Sequence, residues 1–298
     1  MSPMRPPASA SRHRARDKSA LAAALLYALL AVFAALTLVP FAWMLCAALK
    51  SRDDFFGSVF LPSGDGVLGV AWGRLTLEHF RRLLTELPIP RAMLNSVFLA
   101  SVQSLCATLF CAMGGYALAK FNFRARAALT SLVLAAIIIP APLLLAPGFE
   151  LVWRLGLLDT YAGFLLPGLA PAFGVFLFRQ AMLNTVPAEL IESARLDGAG
   201  ELRIFFQLVL PLVRPMAGAF LILAFLGAWN NFIGPQLILQ GADRQPLAVA
   251  MNSLHGIYGT DYGLVMAGTL FSVAPIMCLF LLLQKEFITG LTSGAVKG

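Results

Sequence analysis

The chain carries little charge for its length. Only 12% of its 298 residues are Asp, Glu, Lys or Arg, whereas 59% are hydrophobic. Soluble domains carry about 25% charged residues, so the deficit indicates that lipid surrounds much of this protein. The segments between the apolar stretches are too short to form a soluble catalytic domain.

Charge is absent altogether from six stretches of at least 18 residues. Each is long enough to cross a hydrocarbon core of about 30 Å at about 1.5 Å per residue. Because backbone polar groups in lipid need internal partners, we expect these stretches to be helices. The sequence therefore predicts an all-α integral membrane protein, with a disordered cytoplasmic tail over 1–18 and a transmembrane domain over 19–298. The predicted spans are approximately 21–47, 94–119, 127–148, 160–180, 212–238 and 262–284.

The basic residues are unevenly distributed between the two sides of these spans. Fourteen of the 22 Lys and Arg residues fall in segments that are cytoplasmic if the N-terminus is cytoplasmic. The positive-inside rule therefore predicts that both termini face the cytoplasm, with a C-terminal tail over 285–298. The net charge of +7 would otherwise suggest nucleic acid, but topology explains it. We expect membrane lipid, and no nucleic acid, as a partner.

The chemistry that many membrane proteins use is missing. No predicted span has Asp, Glu, Lys or Arg in its interior, and such groups mark proton relays and voltage sensors. The chain has only three His, all outside the spans, and its four Cys lack metal-ligand spacing. It also lacks a Gly-x-Ser-x-Gly motif. We therefore expect no catalytic residue, no bound metal and no proton-coupled transport.

Neutral polar residues do occur in the spans. Trp229, Asn230 and Asn231 stand together in the fifth predicted span, and Tyr116 lies near the inner end of the second. Amide groups beside an aromatic face suit a path for a neutral, hydroxyl-rich solute. Two other interpretations stay open: the amides join helices by hydrogen bonds, or Trp229 anchors the membrane interface. The second span also contains Asn95, Ser96, Gln103 and Ser104.

A polar loop over 185–203 separates the fourth and fifth spans. It reads as a short amphipathic helix that Asp197 and Gly198 end, since glycine adopts the positive φ common after helices. A second helix runs from about Glu201 to Pro211, where proline introduces a kink. Charge patterning alone would favour an ordinary solvated loop.

The full pattern from Pro187 is more specific. Pro-x-Glu-Leu-x-Glu-x-Ala-x-x-Asp-Gly-Ala, followed by Leu-Pro-Leu-x-x-Pro, resembles the EAA loop of the membrane subunits of ATP-binding-cassette importers. In that family the loop forms a coupling helix, which docks in a cleft of the ATPase subunit. Ser193 replaces the first alanine of Glu-Ala-Ala, and because serine is small and neutral we expect docking to persist. The resemblance assigns ATPase coupling to Glu189, Glu192, Ala194, Asp197, Gly198, Ala199 and Pro211.

Other segments narrow the resemblance. Trp229-Asn230-Asn231-Phe232 and the C-terminal run 290–298 are similar to the carbohydrate-uptake branch, in particular to the maltose-type permease subunit with six spans. In such relatives the C-terminal tail reaches into the interface of the ATPase dimer. The resemblance thus assigns a second ATPase contact to Gly294, Ala295 and Lys297.

The resemblance implies a permease subunit of a binding-protein-dependent sugar importer in the bacterial cytoplasmic (inner) membrane. Its partners would be a second homologous permease subunit, an ATP-binding-cassette ATPase dimer and an extracytoplasmic solute-binding protein. The ATPase subunits would bind ATP and Mg, while this chain would bind no cofactor and hydrolyse nothing. The alternatives are a secondary carrier or channel for a neutral solute, and a membrane scaffold without a transport path.

Overall fold

The computed structural model describes the backbone of residues 8–256 and 259–295, and the side chains of 21–254, 260–282, 284 and 285. In this part of the chain the regular structure is helical, apart from a two-residue antiparallel pairing of β1 (His255–Gly256) with β2 (Gly259–Thr260). The first seven helices are α1 (Ala8–Ala48), α2 (Glu78–Thr85), α3 (Ile89–Lys120), α4 (Arg126–Ile138), α5 (Leu145–Arg154), α6 (Tyr161–Leu165) and α7 (Ala172–Thr185). The next seven are α8 (Ala188–Leu196), α9 (Glu201–Ile204), α10 (Leu210–Leu212), α11 (Arg214–Trp229), α12 (Ile233–Ile238), α13 (Leu247–Asn252) and α14 (Tyr262–Ala295). A π-helix, Phe205–Val209, joins α9 to α10, and 3₁₀ turns cover Val67–Gly69, Trp72–Arg74, Ala141–Leu144 and Leu166–Gly168.

Three helices of the described chain are long and apolar enough to cross a membrane on their own, and counting each of three bent pairs as one span gives up to six. The long ones are Leu21–Ala48 in α1, Ile89–Lys120 and Tyr262–Leu282 in α14. The bent pairs are Arg126–Ile138 with Ala141–Arg154, Tyr161–Gly168 with Ala172–Thr185, and Glu201–Leu212 with Arg214–Trp229. Each predicted span overlaps one of these helices or pairs.

The third predicted span, 127–148, is not one helix. α4 ends at Ile138 after 13 residues, or about 20 Å of helix, and the chain then turns through 103°. Proline disfavours a helical conformation at the residue before it, and Ile139 and Pro140 are both extended, with ψ of 119° and 127°. The span was predicted from the absence of charged residues, and that criterion does not detect a helix break at proline.

The fourth predicted span, 160–180, is kinked at its two prolines. Pro167 lies in a 3₁₀ turn after α6, and Pro171 directly precedes α7. The two halves differ in direction by 42°.

The fifth predicted span, 212–238, is divided at both ends. The chain turns through 83° before α11, between Pro211 and Pro215, where the missing N–H groups and the bulk of the rings disrupt a helix. α11 then ends at Trp229, well before the predicted end. Beyond it, Asn231 Oδ1 accepts a hydrogen bond of 3.1 Å from the N–H of Gly234, in the first turn of α12. This bond satisfies a free helix-start donor, so a separate helix begins there.

Both ends of the chain are more helical than predicted. α1 begins at Ala8, so the disordered tail predicted over 1–18 is wrong for 8–18, and residues 1–7 lie outside the described part. Extending an existing helix adds hydrogen bonds without a new nucleation step, and the segment contains the strong helix formers Ala and Arg. α14 likewise continues to Ala295, past the predicted end of the span at 284.

α3 stands at the centre of the packing, against α7 and α11. Gly115 allows α7 to come close, since a Cβ there would lie 2.7 Å from both the backbone nitrogen of Arg179 and the Cβ of Phe178. Two larger buried clusters, and a smaller one of Leu99, Phe164 and Leu239, lie along the described bundle. The first, called the inner cluster here, includes Tyr116, Phe178, Met182, Val186, Ile191, Phe205 and Val209. The second, called the outer cluster, includes Leu83, Ile89, Phe225, Trp229, Leu247 and Leu264.

Candidate coupling loop and solute cavity

The helix predicted in the 185–203 loop is α8, and it ends where the sequence indicated. Pro187 precedes it in an extended conformation, with φ −64° and ψ 143°. At its other end Gly198 has φ +79°. The N–H of Gly198 donates to the carbonyl of Arg195, and the N–H of Ala199 donates to that of Ala194, each at 3.0 Å. This pair of bonds is the Schellman termination of a helix, which the positive φ of glycine permits.

α8 has one buried and one exposed face. Ile191 is only 2% exposed and belongs to the inner cluster, against which Ala194 and Ala199 also pack. Leu196 points away from the bundle and is 89% exposed. Glu189 and Glu192 are exposed as well. One side of the helix is therefore fixed to the bundle, while the other is open to a partner.

An ion pair connects α8 to the helix that follows it. Arg195 Nε donates to Glu201 Oε1 at 2.6 Å, and Tyr116 Oη donates to Glu201 Oε2 at 3.0 Å. The guanidinium of Arg195 also lies 5.6 Å from the ring centroid of Phe121. The Glu201 carboxylate raises the pKa of Arg195 above its ordinary value, so the arginine stays charged at any physiological pH.

The π-helix leads from this ion pair to the turn before α11. The N–H of Leu210 bonds five residues back to the carbonyl of Phe205, a widened turn often found at functional positions. Pro211 follows directly and borders a cavity of about 440 Å³ that Thr108 and Arg214 also line. The residues that the family resemblance assigns to ATPase coupling, from Glu189 to Pro211, thus lie along one continuous segment of chain.

Tyr116 does not join the other residues proposed for a solute path. It is buried in the inner cluster, against Phe121 and Phe205, and its hydroxyl binds Glu201. Trp229 belongs to the outer cluster. The structure therefore places Tyr116 against the 185–203 loop, and nothing in the sequence around Tyr116 indicated this contact.

The Trp229-Asn230-Asn231 run divides into three environments because α11 ends within it. Trp229 is 6% exposed, and its ring stacks on Phe225 with centroids 5.6 Å apart. Asn230 is exposed, and its Nδ2 donates to the carbonyl of Leu226 in its own helix. Asn231 borders a cavity.

That cavity has a volume of about 370 Å³ and lies between α3, the α6–α7 kink and α11–α12. Gln103 of α3 lines it opposite the small residues of the kink. Its amide packs directly on Gly168, where a Cβ would come within 1.6 Å of Gln103 Nε2. Sequence reasoning counted Gln103 among the polar residues of its span without selecting it. The other lining residues are Ala107, Phe164, Pro167, Pro171, Ala224, Gly227, Ala228, Gly234 and Ile238.

Other polar residues of α3 hold the loops at its N-terminal end. Asn95 Nδ2 donates to the carbonyls of Asp243 and Gln245 at 2.9 and 3.0 Å, and Ser96 Oγ accepts from the N–H of Leu247 at 2.7 Å. Tyr161 Oη donates to Asn95 Oδ1 at 3.0 Å. These residues therefore have structural partners in the 243–247 segment and in α6.

The remaining predicted contact falls near the C-terminus. Gly294 and Ala295 are in the described backbone of α14, but their side-chain environment is not described, and Lys297 lies outside the described residues. A second ATPase contact there stays a prediction. Across the part of the chain that the structure describes, no group of three His, Cys, Asp or Glu residues could hold a metal.

Comparison with known proteins identifies the family. The family described as "Binding-protein-dependent transport system inner membrane component" matches residues 109–285, more than half of the chain, and the chain belongs to it. The arabinooligosaccharides transport system permease protein AraQ of Halalkalibacterium halodurans is 39% identical over 225 residues, which cover 75% of this chain and 80% of that protein. The melibiose/raffinose/stachyose import permease protein MelC of Bacillus subtilis is 30% identical over 272 residues, covering 91% and 95%.

A solved structure supports the same fold. One chain in the crystal structure of a bacterial ABC transporter involved in the import of the acidic polysaccharide alginate matches with a TM-score of 0.75. The match covers 96% of this chain and all of that one, at 21% sequence identity. The protein is therefore an inner-membrane transport permease with the fold of an ABC-importer membrane subunit.

Proposed function

We propose that this chain is one of two membrane subunits of an ATP-driven, binding-protein-dependent importer for a sugar or related polyhydroxy solute. Family membership and the names of the oligosaccharide-transport relatives support the transport class. One observation supports coupling to an ATPase: α8 is anchored in the bundle by the buried Ile191, yet Leu196 on its opposite face is exposed on the surface of the protein. A helix with these two faces suits a contact that passes movement between subunits.

In this proposal the chain crosses the membrane six times, with each bent pair counted as one span and both termini in the cytoplasm. The excess of Lys and Arg in the corresponding loops supports that orientation. α8 then faces the cytoplasm, where ATP is available. α1 leaves almost all of its apolar side chains exposed along the predicted span, as contact with lipid requires.

In this proposal the ATPase would displace α8, and the displacement would be transmitted along the chain to α11. The ATPase dimer, which binds ATP and Mg, would close and displace the coupling residues from Glu189 to Ala199. Because Arg195 is bound to Glu201, α9 would move with α8, and the turn at Pro211 would redirect that motion into α11. The pathway would then alternate between inward-open and outward-open states. This chain itself would hydrolyse nothing.

The remaining partners follow from the same proposal. A second homologous permease subunit would complete the pathway, and a solute-binding protein would deliver the solute from outside. The loop over 240–261 is the proposed contact for that protein. A second ATPase contact would involve Gly294, Ala295 and Lys297.

The test replaces an exposed leucine with glutamate at two positions, one in α8 and one directly after α5. Leu196→Glu should reduce co-purification of the ATPase and ATP-dependent uptake into proteoliposomes at least severalfold, since it places a charge in a docking face. Leu155→Glu is the matched control for ATPase co-purification, because Leu155 is 61% exposed and lies directly after α5, outside the 185–203 loop. Equal co-purification of the ATPase with the two variants would contradict the coupling role. Uptake that needs no ATP would favour a secondary carrier or channel instead.

A further inference from the structure

A buried histidine, at the end of the bundle that is proposed to face outside, has one ring nitrogen without a partner. His79 of α2 is 4% exposed, and its Nε2 lies 2.9 Å from the backbone carbonyl oxygen of Lys50, two residues after α1. Because a carbonyl oxygen can only accept, Nε2 carries a proton and donates it, and Nδ1 of the neutral ring is then an acceptor. Nδ1 is buried without a hydrogen bond in the described part of the chain, which is costly for a polar atom.

The unpaired nitrogen faces a carboxylate. Nδ1 lies 3.6 Å from Oδ1 of Asp261, and this oxygen also accepts the N–H of Leu264, in the first turn of α14, at 3.1 Å. Two acceptors therefore face each other while His79 is neutral. A proton on Nδ1 would turn this arrangement into a charge-assisted hydrogen bond, after the two atoms approach by less than about 1 Å.

The imidazole fits against the start of α14 because residue 263 is glycine. A Cβ on Gly263 would lie 2.3 Å from Nε2 of His79 and 2.7 Å from its Cε1. The ring therefore packs directly on the backbone of α14 while it hydrogen-bonds the chain that follows α1. Since His79 itself belongs to α2, one side chain contacts three parts of the fold.

The charged side chains of α2 beside the ring already have partners. Glu78, the preceding residue, is bound to Arg81 at 2.6 Å. Arg82 donates to the second oxygen of Asp261 at 2.9 Å and lies 3.6 Å from Glu86. Asp261 is therefore the carboxylate that a proton on the ring would meet, and Arg82 helps to hold it in place.

The charged groups in the segment after α1 are engaged as well. Nζ of Lys50 donates to the carbonyl oxygens of Ser58 and Val59. Asp54 is paired with Arg74. Neither the Lys50 ammonium nor the Asp54 carboxylate is left to pair with the imidazole.

We propose that His79 is a proton-dependent clamp: in mildly acid surroundings Nδ1 takes up a proton, and the imidazolium binds Asp261. The clamp would hold the end of α1, α2 and the start of α14 together. Imidazole gains its charge between about pH 8 and pH 5. The protonated ring has a partner that the neutral ring lacks, so the added stability is present at acid pH and is lost as the pH rises.

The clamp adjoins the outer cluster, which contains Leu83 of α2, Leu264 of α14 and Trp229 at the end of α11. Holding α2 to α14 should therefore resist movement of α11 and slow uptake at acid pH. This effect on uptake rests on the proposed transport function, whereas the effect on stability does not.

The first test measures thermal melting of the complete transporter in detergent, at about pH 8 and about pH 5.5, which bracket the titration of imidazole. His79→Gln offers an N–H to the Lys50 carbonyl but cannot gain a proton. Relative to this variant, the wild type should gain about 1–4 °C in Tm at the lower pH. The other two histidines of the chain are His13 and His255, and His13→Gln and His255→Gln should each keep the wild-type gain.

A second variant removes the partner instead of the ring. Asp261→Asn keeps an oxygen for the N–H of Leu264 but loses the charge, so it should also lose the gain in Tm, even if His79→Gln folds poorly. Asp65→Asn is the matched control, because Asp65 is exposed in the segment between α1 and α2. It should keep the gain of the wild type.

The transport test uses proteoliposomes that enclose ATP and a buffer of fixed pH, with sugar-loaded binding protein at saturation outside. Arabinotriose, melibiose and raffinose are offered, and the sugar that the wild type imports fastest is used for the variants. Between external pH values of about 8 and 5.5, wild-type uptake should fall about 2- to 5-fold relative to His79→Gln, the effect of one ion pair. The comparison with His79→Gln removes the pH dependence of the binding protein itself.

The outcomes separate the two proposals. If the wild type, His79→Gln and Asp261→Asn change equally in Tm between the two pH values, the clamp is overturned. A gain in Tm that needs His79, without any matching change in uptake, would overturn the control of α11. Absence of ATP-dependent uptake by the wild type at both pH values would remove the proposed transport function, and melting would still decide the clamp.

Discussion

Arg195, at the end of α8, and Glu201, at the start of α9, are joined across the Gly198 turn by an ion pair of 2.6 Å. The second oxygen of the same carboxylate accepts the hydroxyl of Tyr116 in α3. One carboxylate therefore links three helices at the loop. Glu192, three residues before Arg195 in α8, could form only a weak pair with it, whereas the turn brings Glu201 to 2.6 Å from the guanidinium of Arg195.

Neutralising this carboxylate should affect coupling more than stability. Glu201→Gln keeps the shape of the side chain but loses the charge, and a partly exposed ion pair contributes only about 0.2–1 kcal/mol to folding. We therefore expect a nearly unchanged Tm, with severalfold less solute imported per ATP hydrolysed. Measuring uptake and hydrolysis in the same proteoliposomes checks this. Glu150→Gln is the control, because it neutralises the exposed Glu150–Arg154 ion pair outside the 185–203 loop, and an equal loss in both variants would show that the link to α9 is unimportant.

Gly198 should tolerate few substitutions. Its φ of +79° costs a residue with a Cβ about 1–2 kcal/mol, and more if it is β-branched. Gly198→Val should therefore disorder the end of α8 and reduce ATPase co-purification, whereas Gly198→Asn should be milder because asparagine accepts positive φ. Gly200→Val is the matched control, since Gly200 has φ −72° and an open Cβ position. If Gly200→Val is as damaging as Gly198→Val, backbone strain is not the cause.

Two neighbouring glycines of α3 should differ in how well they tolerate an added methyl group, because only one of them packs tightly on α7. A methyl group on Gly115 would lie 2.7 Å from backbone and side-chain atoms of α7, whereas on Gly114 it would meet only Val175, at 3.4 Å. Overpacking of this kind costs about 1–3 kcal/mol. Gly115→Ala should lower the Tm of the purified transporter, and Gly114→Ala should leave it close to the wild type. Similar melting of both would mean that the two helices can separate easily.

Asp261 should make stability depend on pH in the acid range. Burial acts to raise the pKa of its carboxyl, but the N–H of Leu264 and the guanidinium of Arg82, at 2.9 Å, outweigh burial and lower the pKa. The stabilisation is then complete above the unfolded pKa of about 3.9 and is lost as the pH falls through the lower folded pKa.

Thermal melting between pH 6 and pH 3 tests this. The Tm of the wild type should fall below about pH 4, and Asp261→Asn should show a smaller fall because asparagine caps a helix without titrating. His79 lies 3.6 Å from the same carboxylate, so His79→Gln is needed to separate its contribution. An identical acid profile for wild type and Asp261→Asn would contradict the assignment.

Some of the molecule could be predicted from the order of residues alone. Runs without charge identified membrane helices, because lipid excludes charge wherever a backbone must cross it. α8 and its termination at Gly198 could also be predicted, since a Schellman ending depends on one glycine and a few adjacent hydrogen bonds. The kink at Pro167 and Pro171 also has a local cause, since proline lacks a backbone donor and bends a helix. The family motif could be predicted too, because it lies within one continuous stretch of sequence from Pro187 to Pro215.

The tertiary structure decided which polar residues meet. Tyr116 and Glu201 are 85 residues apart in sequence yet share a hydrogen bond, and Gln103 reaches a cavity with Asn231 only because α3 packs against both the α6–α7 kink and α11. Trp229, Asn230 and Asn231 look like one cluster in the sequence, but the end of α11 turns each toward a different environment. Local sequence determines where a helix forms and ends, whereas the direction in which its side chains point depends on the helices packed against it.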